Sequence, residues 1–135
     1  MSQGLHIKTV PGRYAVVRLK EDAEYPAWLN GPGFQAAIRS DDELTLVCLQ
    51  DRVPSKVEAE RDWYCLRTIG PFPFQSAGVV LSIIAPLSGN GIGVFVVCTY
   101  AGEHVLVPAK DAHRAQHLLQ EAGHIWNDPD DDGGN

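Results

Sequence analysis

The strongest periodic signal lies in the second half of the chain. Val79, Val80, Ile83, Ile84 and Leu87 recur at helical spacing, with Leu81 and Ala85 filling positions between them. This predicts a helix buried around much of its circumference. Pro86 and the following Ser88-Gly89-Asn90-Gly91 mark its end. Ahead of it, Trp63 to Ile69 reads as a strand stopped by Gly70-Pro71-Phe72-Pro73. After it, Ile92 to Tyr100 is a nearly continuous β-branched and aromatic run. Ala101-Gly102-Glu103 turns this run into a partner strand from His104 to Val107. Asp111 is placed to cap a second helix with an apolar face of Ala112, Ala115, Leu118, Leu119 and Ala122, and Gly123 is placed to end it. The order β-α-β-β-α is that of an α+β fold, with helices on one face of an antiparallel sheet.

The first half repeats this order in weaker material. Tyr14 to Leu19 reads as a strand, Pro26 to Asn30 as a short helical turn, and Phe34 to Ser40 with Glu43 to Leu49 as a hairpin. Asp51 to Lys56 follows as a short helix and Val57 to Glu60 as a closing strand. The chain therefore reads as internally duplicated, with halves at residues 1–61 and 62–126 and an acidic tail at 127–135. Leu5 to Val10 is one strand more than the first half needs. It is a candidate to complete the sheet of the second half, where only Ile125-Trp126 follows Gly123.

Composition narrows the functional classes. The 135 residues are 44% apolar and 21% charged, as in an ordinary globular chain. Much of the net charge of −6 sits at Asp128, Asp130, Asp131 and Asp132, and the body is close to neutral. Such a body lacks the basic surface that general nucleic-acid binding needs. The tail is expected to be disordered. The apolar stretch from Ala77 to Leu87 is shorter than the roughly 20 residues of a membrane span. The N-terminus has no basic and then apolar leader pattern, so the expected compartment is the cytoplasm. Cys48, Cys65 and Cys98 are odd in number and form no CxxC, which suits reduced thiols in the core.

Candidate chemistry is sparse. Gly89-Asn90-Gly91-Ile92-Gly93 follows a helix instead of preceding one, the wrong order for a phosphate cradle. His113 and His117 stand four apart on a helix but lack a third ligand, so no metal is expected. Asp128-Pro129-Asp130-Asp131-Asp132-Gly133 opens like a calcium loop, but the chain ends before the Glu at loop position 12. Cys98 with His104 across the hairpin is the least poor nucleophilic pair, and no catalytic residue or cofactor is assigned. The start of the first long helix, around Ser76, Ala77, Gly78 and Val79, offers unpaired N–H groups to a carboxylate. The turn Asn90, Gly91, Ile92 and Gly93 offers accessible backbone groups.

The stretches Pro11 to Leu19, Glu43 to Cys48, Ile92 to Tyr100 and His104 to Pro108, in this order and spacing, resemble the ACT domain family. They are similar to small bacterial proteins with two ACT-like halves, to the regulatory part of aspartate kinases and to the arginine sensor CASTOR. The resemblance implies two tandem ferredoxin-like (βαββαβ) halves and side-by-side sheet pairing. It also implies a small-molecule ligand, an amino acid, bound by Ser76, Ala77, Gly78, Val79, Asn90, Gly91, Ile92 and Gly93, with Thr99 and Tyr100 nearby. The expected protein is a non-catalytic sensor, a homodimer with a possible regulated protein partner. The alternative is an interaction module that keeps the fold without the ligand.

Overall fold

Alternating residues fold the chain into mainly antiparallel strands with two α-helices in a computed structural model, which describes residues 4–70 and 77–128. The strands are β1 (His6–Leu19), β2 (Ala36–Arg39), β3 (Leu44–Leu49), β4 (Ala59–Thr68), β5 (Phe95–Thr99), β6 (Gly102–Pro108) and β7 (Ile125–Trp126). The helices are α1 (Val79–Ser88) and α2 (Ala112–Glu121). Two pairs of segments expected as separate strands are continuous: Leu5 to Val10 runs into Tyr14 to Leu19, and Val57 to Glu60 runs into Trp63 to Ile69. The chain divides into two compact units, one of Val10–Tyr64 and one of Met1–Thr9 with Cys65–Asn135.

In the first unit β1 pairs antiparallel with β3, from Tyr14 opposite Leu49 to Leu19 opposite Leu44. β2 pairs with the other edge of β3, and the order is β2-β3-β1-β4. Ala15 and Val17 on β1 share a face with Leu44, Leu46 and Cys48 on β3, as a period of two requires. Leu29 and Val53 close this core. No α-helix forms among the described residues here. The two helical segments expected are single 3₁₀ turns, Ala27–Leu29 and Gln50–Arg52. Pro26, Gly31, Pro32 and Pro54 leave each too few residues to propagate past a nucleating turn. Arg52 secures the first turn by donating to the carbonyls of Trp28 (3.1 Å), Leu29 (3.1 Å) and Pro32 (2.8 Å).

In the second unit β5 pairs antiparallel with β6, and β6 lies beside β4. Thr68, the last residue of β4, meets Glu103, the second of β6. The rest of β6 has a partner only if the two strands are antiparallel. β5 is then parallel to β4, and α1 is the crossover between them, running back from the end of the sheet that holds Thr68. Ile69 N–H donates to the His6 carbonyl (2.9 Å), and β7 pairs parallel with the start of β1. The start of β1 is thus built into the second unit. Ile7, Leu66, Ile83, Leu87, Leu106 and Leu119 are fully buried there.

α1 departs from the pattern reading. Only Ile83 and Leu87 are buried, while Leu81 is 67% exposed and Val80 is also exposed. Pro86 lies inside the helix instead of ending it. The end comes at Gly91, with φ of +82°: Ile92 N–H donates to the Leu87 carbonyl and Gly91 N–H to that of Ser88. This is a Schellman closure, with buried Ile92 packing back on the helix. Gly123, φ +101°, ends α2 in the same way.

Candidate functional site

Gly78, at φ +86°, occupies the cap position of α1 and provides no side-chain cap to the first N–H groups of the helix. Ala77 and Gly78 are exposed and Val79 is half-buried. Ser76, also expected in this site, lies outside the described residues.

The turn expected to face this helix start is at the other end of the same helix. Ten residues at about 1.5 Å each separate Gly78 from Gly89 by roughly 15 Å, more than the two ends of a small zwitterion span. Asn90 is engaged within the protein: its Nδ2 donates to the Pro86 carbonyl (2.7 Å), and its own carbonyl accepts from Arg114 Nη2 (2.6 Å). Gly91 and Gly93 have no atom within 4 Å of a would-be Cβ, so their surroundings are open. Thr99 Oγ1 donates to the Gly102 carbonyl (3.1 Å) in the β5–β6 turn, and Tyr100 beside it is 84% exposed.

A shallow groove of about 380 Å³ runs along α1, lined by Gly78, Leu81, Ser82, Ala85, Pro86, Ala122 and His124. Its one aromatic wall is structurally committed. His124 Nδ1 accepts from Leu5 N–H (3.0 Å), so its Nε2 carries the proton and donates to the Ser82 carbonyl (2.9 Å). That carbonyl would ordinarily accept from residue 86, and proline there has no N–H.

On β6, beside the end of β4, stands a group that pattern reading assigned to a turn. Glu103 is 9% exposed on β6, and Thr68 is fully buried beside it. Thr68 Oγ1 donates to Glu103 Oε1 (3.0 Å) and accepts from Glu103 N–H (3.0 Å). The alternation of Glu103 with Val105 and Val107 was the available sequence signal, since it puts the carboxylate on a face with two buried apolar residues.

The catalytic alternatives lose their geometry. In the hairpin register Cys98 stands opposite Glu103 and His104 opposite Val97, so Cys98 and His104 point to opposite faces of the sheet. Cys98 is also exposed, not a core thiol, whereas Cys48 and Cys65 are buried. His117 pairs with Glu121 (3.1 Å) on the solvent side of α2. No cluster of three or more metal-ligating side chains occurs among the described residues. Asp128, the first residue of the calcium-loop pattern, accepts from Thr9 N–H and Thr9 Oγ1 (2.6 Å each) and from Trp126 Nε1 (3.1 Å). None of the described helices is long and apolar enough to cross a membrane.

Comparison with known proteins bears on the fold. A family model described as the ACT domain matches residues 58–121, and a second model, of an N-terminal domain, matches residues 12–56. A solved protein from Agobacterium tumefaciens is 43% identical with a TM-score of 0.89, the match covering 94% of this chain and 95% of that one. A Vibrio cholerae protein of unknown function, described as a possible transport protein, is 18% identical with a TM-score of 0.72, covering 89% of this chain and 91% of that one. The regulatory subunit of aspartate kinase from Thermus flavus is 12% identical with a TM-score of 0.55, covering 84% and 98%. A search of curated proteins gives no significant match. Residues 58–121 belong to the ACT domain family, and the fold of the chain is similar to that of an aspartate kinase regulatory subunit.

Proposed function

We propose that this chain is a non-catalytic regulatory protein that binds an amino acid at the start of α1, in the cytoplasm. The observation that carries the reading is the uncapped N-terminus of α1 at Gly78, on a fold similar to a regulatory subunit. Backbone N–H groups of the first helical turn, at the positive end of the helix dipole, suit a ligand carboxylate. Ala77, Gly78 and Val79 belong to this end of the site, and Ser76 immediately precedes them. The strand order supports two tandem ferredoxin-like halves. In each unit the strand following the helical segment is the outer one of the pair beyond the first strand.

Asn90, Gly91, Ile92 and Gly93, with Thr99 and Tyr100 on the neighbouring hairpin, serve the same ligand when a second copy supplies them. Exposed Val80 and Leu81 on α1 and the edge strand β5 favour a two-fold dimer. The regulated partner is then a separate protein.

A thermal-shift screen of the twenty amino acids, run on protein shown free of co-purified ligand and sized by light scattering, tests this. A ligand at 100 times its dissociation constant adds about 2.7 kcal/mol. That raises the melting midpoint of a chain this size by several degrees. No shift with any amino acid at millimolar concentration would leave the chain as an interaction module with the ACT fold. A ligand-bound monomer would remove the dimer from the reading.

A further inference from the structure

Burying a carboxylate is costly unless its charge is met. Glu103 is nine-tenths buried, and among the described residues it forms no ion pair. One of its oxygens is held by the Thr68 hydroxyl. The same hydroxyl accepts from the Glu103 amide, so a single threonine fixes both the strand and the carboxylate. Elsewhere in the second unit Asp128 holds Thr9, and His124 holds Leu5 and Ser82. Among the described residues none is recorded as holding Glu103 Oε2. Its place in the fold follows from strand direction. Thr68 ends β4, Glu103 begins β6, and α1 starts from this end of the sheet.

We propose that Glu103, oriented by Thr68, is the anchor for the ligand's α-ammonium group. The inference rests on the amino-acid reading above and supplies the half of the zwitterion that the Asn90 carbonyl, already taken by Arg114, does not. With the carboxylate at the helix start and the ammonium on Glu103, the site takes free amino acids and refuses N-acylated ones, which carry no cation. Thr68 is a positioning residue: it aims the carboxylate and does not touch the ligand.

The test uses whichever amino acid raises the melting midpoint of the wild type, its N-acetyl derivative, and Glu103→Gln. The expected results are no shift with the N-acetyl compound and binding to Glu103→Gln weakened on the order of 30-fold or more, as when one partner of a buried charge pair is removed. Without ligand, Glu103→Gln should melt close to the wild-type midpoint, because the amide oxygen can still accept from the Thr68 hydroxyl. Binding by Glu103→Gln within about threefold of wild type, or an undiminished response to the N-acetyl compound, overturns the assignment while leaving the regulatory reading intact. A wild type that answers to no free amino acid overturns both. Should Glu103→Gln fail to fold by circular dichroism, the threonine decides. Thr68→Ser keeps the hydroxyl and should keep binding, Thr68→Val should weaken it, and equal binding by the two overturns the proposal.

Discussion

At the scale of single residues, the strand alternation that buries Glu103 turns its neighbour His104 to the opposite face, near Arg67. Burial there, reinforced by the Arg67 guanidinium, lowers the imidazole from 6.5 to about 4. Between those values the unfolded chain takes up a proton that the folded chain refuses. Stability from this group is therefore present above pH 6.5 and falls as pH drops toward 4. His104→Gln removes the titration, so across this window its melting temperature should fall less than that of the wild type in matched buffers. Parallel pH profiles would show that the imidazole gains its proton equally well in both states. The cysteines follow the same logic. Burial pushes the Cys65 thiol up to about 12 and raises that of Cys48, which makes both poor nucleophiles, while Cys98 stands exposed on β5.

At the scale of elements, α1 holds a proline that its length and packing should punish, and the fold answers with His124. Pro86 leaves the Ser82 carbonyl without its helical donor, and His124 Nε2 supplies one while its Nδ1 takes the Leu5 amide. His124→Ala strands both groups and should cost about 2–3 kcal/mol. Pro86→Ala restores an N–H that can reach the Ser82 carbonyl, so in the double variant the His124 loss should shrink by about 1 kcal/mol. Urea unfolding of the four proteins measures the coupling, and strict additivity would refute it. This interaction was invisible in the sequence, because 42 residues separate its partners and neither type announces the other. The helices and hairpins themselves were legible, since periods of two and 3.6 are local properties. Two errors have physical causes. The run Val79 to Leu87 reads as buried around much of its circumference because periodicity cannot tell a covered apolar face from an exposed one, and Leu81 is exposed. The breaks placed within β1 and β4 fall at Pro11-Gly12 and Arg61-Asp62, where the structure keeps the strands going with positive φ at Gly12 and Asp62. The candidate site was legible only at its helix start. Glu103 was masked by a glycine that mimicked a turn.

At the scale of the whole chain, residues 5–9 and 125–128 are built into the second unit, and the acidic tail is not all tail. Ile125 N–H donates to the Leu5 carbonyl (2.8 Å) and Asn127 N–H to that of Ile7 (2.7 Å), while Asn127 Oδ1 meets His6 Nδ1 (2.7 Å). Asp128 then closes the ladder on Thr9 with two bonds from one residue and a third from Trp126. A carboxylate accepting several hydrogen bonds is worth more than a neutral acceptor. The sequence reading assigned both Asn127 and Asp128 to the tail, because neither has apolar surface to bury. Their contribution is polar and depends on Thr9, more than a hundred residues away. Removal of residues 129–135, which carry no large apolar side chain, should therefore leave the melting temperature within about a degree of the full chain. Removal of two residues more, ending the chain at Trp126, deletes the Asn127 and Asp128 bonds and leaves the Thr9 amide and hydroxyl and the Trp126 indole without this acceptor. That should cost about 2–3 kcal/mol, or roughly 6–12 °C. Asp128→Ala in the full chain should account for most of the loss, which separates the side chain from the effect of shortening. The three proteins melted side by side decide the matter. If the chain ending at Trp126 melts with the full one, the ladder that joins the two termini adds nothing to stability, and Asp128 is a bystander.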